Sequence, residues 1–168
     1  VANPKDVQAL NVAGLVYEKM GDTQSALTHL SNAVFAAPDD PYSRNNYGTL
    51  LCKLGQQREA IAQFERIAKS PAYDAPDAAY TNAGLCARSI PDLELAATYF
   101  NQALQINPNS ATALYQVAKL SYENGRYTSA REDLQNYLRV APNTPKTLLL
   151  RVEIEHALGN GPARQAYA

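Results

Sequence analysis

The sequence predicts an all-α solenoid of antiparallel helix pairs, on three observations. Turn-forming residues recur at a fixed interval: Gly21, Gly55, Pro91, Gly125 and Gly159 are 34, 36, 34 and 34 residues apart. Small residues keep the same intervals in two further registers, Gly14, Gly48, Gly84 and Ala118 in one, Ala26, Ala60, Ala96 and Ala130 in the other. Prolines close the units: Pro38, Pro108 and Pro142 fall in register, and Pro4 sits one period before Pro38. Such self-similarity marks a repeat architecture, in which each unit buries its apolar face only against its neighbours.

Each element has a physical task. A glycine inside a helix costs about 1 kcal/mol relative to alanine. Gly14, Gly48 and Gly84 therefore make sense only where a neighbouring helix approaches closely, and the alanine register does the same for the second helix of each pair. Tyr17, Leu30, Tyr47, Phe64, Tyr80, Phe100, Leu134 and Tyr137 fill the remaining space. The Gly or Pro at the middle of each unit stops one helix and starts the next. The closing proline ends the second helix, because the residue before a proline is driven out of the α region. The repeats run at 7–40, 41–76, 77–110 and 111–144, with a partial fifth at 145–168, and the whole chain, 1–168, reads as one solenoid. Asn3-Pro4 reads as the close of a preceding repeat, and Gly159 opens a turn before an unfinished helix. The expectation is an internal portion of a longer array.

Composition narrows the function. The 15 basic and 16 acidic residues nearly balance, and no cluster of Lys and Arg could neutralise successive phosphates, which argues against nucleic acid. No apolar run approaches the roughly 20 residues that cross a bilayer. His29 and His156 lie on different repeats, without a cysteine or carboxylate pair at ligand spacing, and read as surface or groove residues. Pairs such as Glu132-Asp133 read as a solvated helix face. There is no nucleophile elbow, phosphate-binding glycine loop or HExxH motif. The expectation is a protein with no enzymatic activity, no cofactor and no metal site.

The one departure from the 34-residue period falls in Ser70-Pro71-Ala72-Tyr73-Asp74-Ala75-Pro76, bracketed by prolines and read as non-helical. It is either a tolerated loop insertion or a feature of a particular family.

The 34-residue helix–turn–helix unit resembles the tetratricopeptide repeat family across nearly the whole chain, and the resemblance implies a right-handed superhelix. Within that family, Asn45-Asn46-Tyr47-Gly48, then Glu59-Ala60-Ile61-Ala62-Gln63-Phe64, then the insertion, then Tyr80-Thr81-Asn82-Ala83-Gly84-Leu85-Cys86-Ala87 resemble the type IV pilus biogenesis and stability proteins, the PilF/PilW family. That resemblance implies a pilotin: an outer-membrane-associated periplasmic lipoprotein that binds the pilus secretin, or another pilus-assembly protein, and helps it localise or multimerise. Membrane contact would run only through an N-terminal lipid anchor that this chain does not include. The alternative is a generic tetratricopeptide scaffold of another bacterial assembly.

In this architecture the first helices of successive repeats line the usual binding face. Helical spacing places Asn11, Leu15 and Glu18 there from the first repeat, and Tyr42, Asn45, Asn46, Thr49 and Lys53 from the second. The third gives Thr81, Asn82, Leu85 and Arg88, the fourth Tyr115, Gln116, Lys119 and Tyr122. Asn46 and Asn82 stand at equivalent positions, where related repeats use an amide to bond a peptide's backbone, since an amide donates and accepts at once. The other reading is that they tie neighbouring helices together. A clamp for a chaperone's C-terminal carboxylate needs basic residues where this chain has Asn11, Leu15, Ala78 and Asn82, so that class of partner is disfavoured.

Cys52 and Cys86 lie at similar heights on the first helices of the second and third repeats. The small glycines beside them allow a Cα separation in the roughly 4.4–6.8 Å range of a disulfide. The periplasm implied by the resemblance would keep such a bond oxidised. Two buried free thiols are the other reading.

Overall fold

The structure, a computed structural model, describes residues 4–90 and 93–159. Among these residues there are nine helices and no strand. They divide into two compact units, Val1–Ala96 and Ala97–Ala168.

The first unit contains α1 (Pro4–Met20), α2 (Thr23–Ala36), α3 (Pro41–Lys53), α4 (Gln57–Ala68), α5 (Pro76–Ala87) and the start of α6 (Leu93–Ile106). α1 pairs with α2 and α3 with α4, and α3 also packs on α1 and α5. Each pair turns on a glycine in the left-handed region, Gly21 at φ 81° and Gly55 at φ 78°. The turns share one bonding pattern: Asp22 N–H donates to the Tyr17 carbonyl and Gly21 N–H to that of Glu18, and Gln56 and Gly55 repeat this on Leu51 and Cys52. This double bond satisfies the last carbonyls of a helix only when the residue after it adopts positive φ. Asp22 and Asp40 cap α2 and α3 by accepting the N–H of Ser25 and Ser43.

Close approach explains the mid-helix glycines. A Cβ on Gly14 would fall 2.5 Å from Leu30 Cγ, and one on Gly48 would fall 3.1 Å from Phe64 Cε1. Ala26, Leu30 and Leu50 are buried together here, with Tyr17, Leu27 and Tyr47 packed around them.

The second unit holds the rest of α6, then α7 (Ala111–Glu123), α8 (Tyr127–Val140) and α9 (Pro145–Ala157). α7 and α8 turn on Gly125, φ 71°, with the same pair of bonds from Arg126 and Gly125 to Ser121 and Tyr122. Leu114, Ala118, Ala130, Leu134, Tyr137, Leu150 and Ile154 form its core. Thr144 and Thr147 cap α9 reciprocally.

One sequence reading needs correction. Pro76 does not belong to the irregular insertion but is the first residue of α5, where proline's fixed φ suits a helix and its missing N–H had no partner to lose. Pro4 likewise is the first residue of α1. Pro91, read as the third turn, lies outside the described residues, as do Asn3 and residues 160–168.

Candidate protein-binding groove

In the first unit, α1 and α3 flank a groove of about 630 Å³. Gln8, Asn11, Val12 and Leu15 come to it from α1, Tyr42 and Asn46 from α3, and Asp40 from the intervening cap. Its walls are apolar and open to solvent: Val12 is 60% exposed and Tyr42 58%. Tyr42 is held edge-on by Tyr73 of the insertion, ring centres 6.1 Å apart. Burial, with the Asp74 charge behind it, pushes the Tyr73 hydroxyl above its ordinary value and keeps it neutral.

Asparagine pairs link α1 to α3 and α3 to α5. Asn46 Nδ2 donates to Asn11 Oδ1 at 3.3 Å, and Asn82 Nδ2 donates to Asn45 Oδ1 at 3.0 Å. Asn11 donates in turn to the Val7 carbonyl and the Ser43 hydroxyl. Both amide hydrogens of Asn11 are thus engaged, and its side chain serves structure. Asn46 and Asn82 each use one amide hydrogen to tie helices, which leaves the second hydrogen and the carbonyl oxygen for a ligand. Thr49 donates to the Asn45 carbonyl, and Lys53 is ion-paired with Glu18.

Thr81 does not belong to the exposed face. It is 6% exposed and its hydroxyl donates to the Asp77 carbonyl at 2.8 Å, because the helical i−4 bond draws a buried threonine hydroxyl back onto its own backbone. Leu85 is partly exposed on α5, and Arg88 is half-buried at that helix's C-cap. Cys52 of α3 and Cys86 of α5 are joined as a disulfide, Cα atoms 5.7 Å apart.

In the second unit a groove of about 530 Å³ is lined by Tyr115, Gln116, Lys119 and Tyr122 of α7 and, from α9, by Lys146, Leu149 and Glu153 among others. Tyr115 meets Tyr137 edge-on and Tyr122 tilts against Tyr127, while Lys119 reaches Glu123 at 3.8 Å. Sequence reasoning left out the α9 residues and, in the first unit, Gln8 and Val12. The repeat spacing held the signal: Leu149 and Glu153 stand 34 residues after Tyr115 and Lys119.

Chemistry elsewhere is sparse. His29 lies flat on Tyr17, ring centres 5.2 Å apart, packed between paired helices rather than in a groove. Asp133, read as solvated, accepts a 2.7 Å bond from the buried Ser121 hydroxyl. Among the described residues, no group of three or more His, Cys, Asp or Glu could hold a metal ion, and no helix is long and apolar enough to cross a membrane.

Profiles of the tetratricopeptide repeat match residues 11–76 and 48–111, and another matches 92–152. The chain belongs to the tetratricopeptide repeat family. Repeats of this kind are protein-binding modules and typically non-catalytic. The chain is 24% identical over 110 residues to the type IV pilus assembly protein PilF of Pseudomonas aeruginosa, a match spanning 66% of this chain and 44% of that protein. The crystal structure of PilW, a widely conserved type IV pilus biogenesis factor, superposes with a TM-score of 0.84 at 29% identity, over 98% of this chain and 76% of that one. The crystal structure of MamA shares the fold, with a TM-score of 0.78 at 16% identity over 98% of this chain and 89% of that one. The chain is therefore a tetratricopeptide scaffold similar to pilus biogenesis proteins.

Proposed function

We propose that the protein is a pilotin-like scaffold in type IV pilus biogenesis, which binds the outer-membrane secretin and assists its assembly or localisation. The observation that carries this reading is the 29% identity to PilW sustained over 98% of the chain, where a shared fold alone would leave the assembly open. The first unit's groove supports a protein partner: apolar walls contribute contact area, and the half-engaged amide of Asn46 in its lining, with that of Asn82 on α5 beyond it, offers a donor and an acceptor to a backbone. In this reading the protein acts in the periplasm, attached to the outer membrane by a lipid anchor on an N-terminal segment outside this chain. The disulfide fits that oxidising compartment.

Deleting the gene in its host tests the reading. Loss of secretin multimers, and with them of surface pili, is the expected result. Normal multimers with absent pili would move the protein to another step of pilus assembly. Normal multimers and normal pili would leave a scaffold of some other assembly.

A further inference from the structure

A second pocket, of about 410 Å³, shares no lining residue with the groove. Asp39, Arg44, Arg66, Ile67 and the insertion residues Ser70–Ala72 form it. Arg44 is only 7% exposed. Leu10, Tyr80, Leu114 and Leu148 hold the same place in the other repeats, so the second repeat alone puts a charge where the register otherwise has an apolar body.

Among the described residues no carboxylate is in salt-bridge contact with Arg44, and Asp39 acts on it only through its charge. Its Nε donates to the Pro38 carbonyl and Nη1 to Gln63 Oε1, both neutral acceptors, and its Nη2 makes no hydrogen bond among the described residues. Asp39 pairs instead with Arg66, Nη2 to Oδ1 3.2 Å, at the exposed mouth of the pocket. Burial, then the neighbouring Arg66 charge, hold the Arg44 guanidinium below its ordinary value, against the smaller opposing pull of Asp39. A buried charge without a counter-ion is costly, and two arginines against one aspartate leave one positive charge uncompensated.

We propose that this pocket receives the carboxylate of an acidic side chain from a protein partner, gripped by Arg44 and Arg66. The planar guanidinium fork matches a carboxylate's two oxygens. A monovalent anion also fits the local field better than a phosphate. The C-terminal end of α4, whose Ile67 carbonyl accepts from Ser70 N–H, adds negative partial charge beside the Asp39 carboxylate. The two-residue insertion supplies the pocket's wall, with Ala72 N–H on Ser70 Oγ at 3.3 Å. The site is independent of which assembly the groove serves.

The test is ¹⁵N NMR of the full chain, following the Nε–Hε signals of Arg44 and Arg66 and the amides of Ser70 and Ala72. Acetate, inorganic phosphate and chloride are titrated at matched ionic strength. Saturable acetate shifts at these groups, absent with chloride, are expected. Arg66→Gln, an exposed substitution that leaves the fold intact, should raise the half-saturating acetate concentration about fivefold, the scale of one lost exposed charge contact. Acetate shifts no different from chloride would overturn the site, and so would an unchanged midpoint in Arg66→Gln. Phosphate saturating below acetate would overturn the carboxylate assignment in favour of a phosphorylated ligand.

Discussion

Asn46 and Asn82 in the first unit and Leu150 in the second occupy the same place in their repeats, and they join neighbouring first helices by different physics. Asn46 gives an amide hydrogen to Asn11, and Asn82 gives one to Asn45. Leu150 is 3% exposed and sits in the apolar core with Leu114 and Ala118. Apolar packing contributes stability in proportion to buried area. An amide pair contributes little net free energy but fixes geometry and keeps hydrogen-bonding capacity at the surface. At this position Leu150 stabilises the second unit's core while Asn46 and Asn82 keep hydrogen-bonding capacity at the first unit's surface; Gln116, in the same place on α7, lines the second unit's groove.

Substitutions can break or sharpen that contrast. Leu150→Ala should have the largest effect, a loss of about 2–5 kcal/mol in urea unfolding, because it opens a cavity in a packed core. In the first unit, replacing both Cys52 and Cys86 by serine should cost about 2–4 kcal/mol, since the bridge closes a loop of 34 residues. The same bridge predicts no free thiols on unfolded, unreduced protein; two per chain would remove it. Gly14→Ala should destabilise by about 1–3 kcal/mol, because the added methyl meets Leu30 rather than open space. Asn82→Ala should cost about 1 kcal/mol, the scale of one hydrogen bond. Lys53→Ala should cost under about 1 kcal/mol, since its pair with Glu18 is solvent-screened. If Asn82→Ala proved as damaging as Leu150→Ala, the contrast between the units would fail.

Much of the architecture was legible because the period exposes backbone geometry. Gly21, Gly55 and Gly125 adopt positive φ at the turns, and Gly14 and Gly48 admit Leu30 and Phe64. Helix starts were less legible. Proline in sequence signals a break: Pro41 and Pro145 already stood at the starts of repeats, but Pro76 was read as the end of the insertion and instead opens α5. The groove was legible as a helix face but not residue by residue. Spacing marks which positions share a face, yet it does not reveal that Thr81 folds its hydroxyl onto Asp77 or that Asn11 is already engaged. Arg44 escaped notice because a charged residue in a helix reads as solvated until its burial is seen.

The most direct test of the central claim is the affinity of the purified protein for its host's pilus secretin, compared with that of Asn46→Ala. Measurable binding is expected, weakening about fivefold or more in the variant, on the scale of one lost hydrogen bond, with an unchanged circular dichroism spectrum. Equal affinity in two equally stable proteins, or no binding by either, would contradict it.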